Sequence, residues 1–210
     1  MPQVTIEHYD FEKYVDIPRW NSYYYQITEI LKNNCKNILI IGKGDGIVPN
    51  LLSSLGNEIH ITTFDFDQNL KPDIVGDIRD IDILLPSCIY DCIMCCQVLE
   101  HLEHQWFKPI LAKFQKILIP QGIIIVSLPQ HMLRLKLEFR FGRMKLKKLW
   151  LFQKFWEGKY IFNGEHYWEV GAKGFSKKNI LAIYNEHFDV IREYSVFQNT
   201  YHWFAILRKR

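Results

Sequence analysis

An aliphatic run that stops on alternating glycines constrains this chain more than any other feature. Ile38-Leu39-Ile40-Ile41 leads straight into Gly42-Lys43-Gly44-Asp45-Gly46. Four apolar residues without polar alternation read as a strand buried on both faces. The glycines after it read as a tight turn without Cβ atoms, which lets backbone N–H groups approach a ligand at the mouth of a sheet. About 20 residues on, the next apolar strand, Ile59 to Phe66, delivers Asp65, an acid at the distance that suits a ribose diol in a βαβ unit. Strand, glycine turn, helix and acid-bearing strand together are far more specific than the glycines alone.

A chain of 210 residues suits one well-buried domain better than two. Its 48% hydrophobic and 23% charged content excludes a disordered chain. The net charge of +3 announces neither a nucleic acid nor a membrane partner, but its distribution is uneven. Between His131 and Lys159 nine Lys/Arg face two Asp/Glu, a local +7, so the rest of the chain is net negative. The five cysteines are odd in number, and Cys92, Cys95 and Cys96 crowd one apolar strand. Alternate strand residues face opposite sides, and no second ligand pair follows Cys92-x-x-Cys95. They read as small core residues in a reducing compartment, and no metal site is expected. The start, Met1-Pro2-Gln3-Val4-Thr5, lacks a signal-peptide pattern, and no apolar run reaches the roughly 18 residues of a membrane helix. A cytoplasmic location is the resulting expectation.

A helical segment is expected from Asn21 to Asn33, capped by Asn21 or Ser22. Strands follow at Asn37–Ile41, Ile59–Phe66, Ile74–Val75, Cys92–Cys96 and Ile123–Leu128, with helices at Ile47–Leu55 and Gln105–Ile117. Right-handed crossovers then give a doubly wound, mostly parallel α/β sheet. After Leu128 the rhythm breaks. Leu133 to Phe141 alternates apolar and mostly charged residues, as in a half-exposed strand, whereas Met144 to Trp156 has a more helical spacing. The sheet pattern resumes with a helix at Ser176–Glu186 and strands at Val190–Val196 and Trp203–Arg208, close enough for an antiparallel hairpin.

The glycine loop is one of several motifs. Others are Asp65, the pair Gly76-Asp77, and Tyr90-Asp91-Cys92-Ile93 leading into Gln97-Val98-Leu99-Glu100-His101-Leu102. With the terminal hairpin, these resemble the class I S-adenosylmethionine-dependent methyltransferases, from about Asn34 to Leu128 and again over Phe175 to Arg210. Val-Leu-Glu-His-Leu after strand four is the most specific phrase. The resemblance implies a seven-stranded, Rossmann-like methyltransferase domain over 1–210, with 1–33 as an N-terminal cover and 131–170 as an inserted lid on the acceptor side. It implies S-adenosylmethionine as cofactor. Gly42, Lys43, Gly44 and Gly46 would pass under the methionine moiety, Asp65 would accept from the ribose hydroxyls, and Phe66 would lie along the adenine. Asp77 would accept from the adenine amino group beside the Ile78 backbone, and Gln97 and Val98 would line the sulfonium pocket. Ile40 departs from the family, which often has an acid two places before the first glycine.

Methyl transfer from a sulfonium requires alignment and exclusion of water, and an oxygen acceptor of high pKa also needs a base. His101, His131 and His166, the last within Gly164-Glu165-His166-Tyr167-Trp168-Glu169, are placed for that role or for structural ones. Asp77 equally suits a turn, and Glu100 and His101 suit a helix start. The basic, aromatic insert reads as a solvated cover, as recognition of an anionic acceptor, or as contact with RNA or an acidic membrane surface. A small-molecule or glycan-like acceptor is expected, without DNA. Alternatives are an RNA methyltransferase and a non-catalytic cofactor-binding module.

Overall fold

The aliphatic runs form the centre of a seven-stranded sheet in the computed structural model, which describes residues 6–56, 58–154, 158–162 and 164–210. In chain order the elements are α1 (Phe11–Tyr14), α2 (Ile17–Lys32), β1 (Asn37–Ile41), α3 (Ile47–Ser54), β2 (His60–Asp65), β3 (Ile74–Val75) and α4 (Ile81–Leu84). They continue as β4 (Tyr90–Cys96), α5 (Phe107–Ile117), β5 (Leu118–Pro129), β6 (Met132–Phe141), β7 (Met144–Gln153), α6 (Lys177–His187), β8 (Phe188–Ser195) and β9 (His202–Lys209). The sheet order is β3-β2-β1-β4-β5-β9-β8. The first five strands are parallel, and β9 enters antiparallel between β5 and β8. This is the doubly wound α/β sheet with a terminal antiparallel pair.

Period-two alternation sorts each strand between two cores. Leu39, Ile41, Ile93 and Cys95 pack with α5 and α6, while Ile38, Ile40, Cys92 and Met94 pack with α2 and α3. Cys92 and Cys95 therefore point to opposite sides of the sheet, and all five cysteines are free. Reversal of the chain order at β1 and β4 opens a crevice at their carboxyl ends, where the glycine loop follows β1.

Two expectations need correction. The helix expected at Asn21 begins at Ile17, because the Asp16 carboxylate accepts from Arg19 N at 2.7 Å and Pro18 fits the first turn. Asn21 lies inside this helix and donates to the Ile17 carbonyl at 2.7 Å. The helical spacing read from Met144 to Trp156 is instead strand β7 as far as Gln153, and Trp156 lies outside the described residues. Every residue of β7 pairs with β6 in a register running from Met132↔Gln153 to Phe141↔Met144. Gly142, at φ +55, helps reverse the chain between them.

This β6–β7 ribbon is a separate two-stranded sheet. Its polar face turns back to the domain. The Arg134 guanidinium donates to the Gln130 carbonyl at 2.5 Å and lies 5.4 Å over the Tyr201 ring. Lys147 and Lys136 approach the Phe197 ring at 4.8 and 5.9 Å. Among the described residues, no helix is long and apolar enough to cross a membrane.

Candidate active site

A cavity of about 550 Å³ opens at the carboxyl ends of β1, β2 and β4. Its floor is the glycine loop. Gly42 adopts φ +81, and a Cβ there would stand 2.5 Å from Val98 Cγ2, so the loop and the end of β4 touch only because position 42 has no side chain. Lys43, Gly44 and Val98 line the same wall. Gly46 sits behind it, capping α3 at φ +75. Gln97 also lines the cavity and holds φ +57, uncommon for a side-chain-bearing residue. Its N–H donates to the Ser127 carbonyl at 2.9 Å and its amide to Ser127 Oγ at 3.2 Å, which fixes this conformation against its cost.

Asp65 ends β2 at the rim, 7% exposed. Its Oδ2 accepts from Lys43 N at 2.8 Å and its Oδ1 from Asp67 N at 3.0 Å. The acid thus ties the glycine loop to β2, and each oxygen keeps a further lone pair. Burial raises its pKa, opposed by the Asp67 and Lys43 N–H bonds. Phe66, Asp77 and Ile78 extend the lining outward. The Asp77 carboxylate is gripped by the Arg79 guanidinium and accepts from Arg79 N at 2.8 Å, so it caps a turn as well as facing the cavity. The Arg79 hydrogen bond holds its pKa low.

The N-terminal segment forms the opposite wall with residues that sequence reasoning left unassigned. Tyr9, Tyr14, Arg19 and Tyr23 all line the cavity. Arg19 stacks 3.7 Å over the Tyr14 ring, and Tyr23 OH donates to Asp45 Oδ2 at 2.6 Å. Asp45 also accepts from Ile47 N at 3.1 Å. A guanidinium and a carboxylate therefore flank the two tyrosines at the loop end of the cavity. Ile40 is buried in the cavity wall.

At the other end stand His101 and His166, with ring centroids 4.8 Å apart. His166 Nδ1 meets Glu169 Oε1 at 2.9 Å, and Tyr201 OH donates to the same oxygen at 2.8 Å. Burial disfavours the His166 cation, but the Glu169 hydrogen bond and the charges of Glu100, Glu169 and Glu165 outweigh it and raise its pKa. His101 goes the other way. Burial and the neighbouring His166 push it down to about 4, against the 3.1 Å contact of its Nδ1 with the Glu165 carbonyl. Glu100 is fully buried close to both rings, and among the described residues neither of its carboxyl oxygens has a hydrogen-bond partner outside the residue. Burial lifts it to about 8. Glu100, His101 and His166 each bring one ligand-type atom within 4.8 Å of the others, a set able to hold a cation. His131 stands apart. It faces Glu169 Oε2 at 3.5 Å and lines a second cavity of about 350 Å³ with Tyr160.

No family model matches the chain, and no curated protein matches it. Solved structures do. The N-methyltransferase NodS from Bradyrhizobium japonicum WM9, in complex with S-adenosyl-L-homocysteine, superposes with a TM-score of 0.62 at 13% identity, covering 99% of this chain and 94% of that one. CalS10, an amino pentose methyltransferase from Micromonospora echinaspora, gives 0.60 at 9% identity over 99% and 98%. The small RNA methyltransferase HEN1 gives 0.64 at 16% identity, over 93% of this chain and 26% of that one. The chain shares the fold of these class I methyltransferases.

Proposed function

We propose that this protein is an S-adenosylmethionine-dependent methyltransferase acting at oxygen or nitrogen of a small-molecule or glycan-like acceptor. The observation that carries the reading is the cavity floor, where Gly42 leaves no room for a Cβ against Val98 and Asp65 stands at the rim. The volume of about 550 Å³ suits a nucleoside-sized ligand and leaves room for part of an acceptor. S-adenosylmethionine, when bound, supplies an electrophilic methyl group on a sulfonium. The chain's own residues bind, align and exclude water.

Gly42, Lys43 and Gly44 would support the methionine moiety, with Gly46 setting the loop. Asp65 would hold the ribose, Phe66 would lie along the adenine, and Asp77 with the Ile78 backbone would meet its edge. Gln97 and Val98 would border the sulfonium. Arg19 is assigned to the methionine carboxylate and Asp45 to its ammonium group, in place of the acid absent at position 40. His166, held by Glu169, would take the acceptor proton, with His101 packed beside it and His131 on the far oxygen of Glu169. A cytoplasmic setting belongs to the same reading.

Thermal shift tests it. S-adenosylmethionine and S-adenosylhomocysteine at about 100 times Kd should each add about 2.7 kcal/mol, a Tm rise of roughly 5–10 °C at this size, and NAD none. Asp65→Ala should abolish that rise, and an unchanged response would mean that the ribose contact is misassigned. Arg19→Ala should weaken S-adenosylmethionine by about tenfold or more while leaving the response to adenosine unchanged. Binding of RNA that falls steeply with salt would move the acceptor to RNA.

A further inference from the structure

The β6–β7 ribbon carries an apolar face directed away from the domain. Cross-strand partners share a face, so Leu135, Phe139 and Phe141 of β6 stand beside Trp150, Leu146 and Met144 of β7. Nine of the ten positions on this face are apolar, Lys148 being the exception. Phe141 is 72% exposed, Met144 70% and Phe139 58%. An uncovered apolar stripe along ten-residue strands marks an interaction surface. The opposite face holds Arg134, Lys136, Arg140, Lys145 and Lys147 around Glu138, and Arg143 sits at the turn. From Met132 to Gln153 seven Lys/Arg face one Glu, a net +6.

Charge chooses the occupant. Two copies packed face to face would bring two strongly cationic ribbons together, whereas an anionic surface complements them. On RNA the phosphates would engage the basic face and leave the aromatic face on the other side bare. An anionic bilayer takes up the apolar face, with Lys148 on that face and Arg140 and Arg143 by the turn placed to reach its phosphates. Apolar side chains enter the headgroup–acyl boundary while long cationic side chains stay at the phosphates.

We propose that the ribbon seats the protein on an anionic lipid surface through its outward apolar face. The seat adjoins the main cavity, because Arg134 at the ribbon's root stacks on Tyr201, which lines that cavity. The proposal is independent of the methyl-transfer reading, since ligand-induced stabilisation stands or falls on the cavity alone.

Co-sedimentation with vesicles of phosphatidylcholine, alone or mixed with phosphatidylglycerol, tests it at physiological ionic strength. The whole protein should pellet with the mixed vesicles and weakly with phosphatidylcholine alone. Phe139→Ser with Phe141→Ser, and separately Arg140→Glu with Arg143→Glu, should each lower partitioning by about tenfold or more without lowering Tm. As a second variant, replacing residues 135–150 by Asn-Gly, which closes the ribbon at the Arg134↔Leu151 pair, should abolish pelleting. No pelleting with mixed vesicles would overturn the proposal, as would variants that pellet like the parent. A dimer in sedimentation velocity that the two Phe→Ser changes dissolve, or homopolymeric RNA binding without vesicle binding, would overturn it in favour of that other occupant.

Discussion

Glu100 is a fully buried carboxyl group beside the His101 and His166 rings, and burial dominates its ionisation. Its pKa is pushed up to about 8 from an ordinary value of 4.5. Between these values the folded protein keeps a proton that the unfolded chain releases. Stability therefore falls as pH rises from about 4.5 to about 8, and levels off above that. Glu100→Gln keeps the shape and removes the titration. It should melt at a higher temperature than the parent at pH 8 and above, with the gap closing toward pH 5, and parallel curves across that range would show the carboxyl to be ionised in the fold. Glu169 sets the opposite balance on His166, whose pKa its hydrogen bond raises against burial. Glu169→Gln should lower that pKa, seen as a shifted titration of the His166 ring protons by NMR. The glycine loop, Asp65 and Phe66 were legible in the sequence because one βαβ unit holds them within a short stretch. Arg19 and Tyr23 were not, because only the folded chain brings them to the same cavity, and Glu169 was not, because it acts there through its hydrogen bond with His166.

Loop and strand meet most tightly where Gly42 abuts Val98, and there an element depends on one missing atom. Gly42→Ala should cost about 1–3 kcal/mol, from the left-handed φ and the 2.5 Å approach to Val98 Cγ2 together. Adding Val98→Ala should recover part of that loss in thermal unfolding, since it removes the clash and leaves the strained dihedral. If the double variant is no more stable than Gly42→Ala, the approach is not the cause. At this scale the buried strands were the legible elements, because aliphatic runs of four or five residues have few other uses. β7 was not, because Leu149-Trp150-Leu151-Phe152 is apolar on both faces and blurs the period-two signal that β6 shows plainly. The start of α2 lies four residues before the expected Asn21, because Asp16 caps the helix and Pro18 suits its first turn.

For the whole molecule, the decisive strand is the last one. β9 runs between β5 and β8, and Trp203, Phe204, Ala205, Ile206 and Leu207 are all fully buried, contributing to both cores. Four large side chains at about 1.5–3 kcal/mol each account for roughly 6–12 kcal/mol of burial, comparable to the 5–15 kcal/mol that holds a whole domain. Removing β9 would also leave β8 without the strand it pairs with and bare the edge of β5. The crevice at the far side of the sheet is thus conditional on residues more than a hundred positions beyond the glycine loop. A chain ending at Tyr201 should lose cooperative thermal unfolding and near-UV circular dichroism, although β1 to β5 and every residue of the glycine loop remain. Retention of a sharp transition by that truncated chain would mean that the parallel half folds alone, and that the terminal pair is an accessory to the cavity instead of a condition for it.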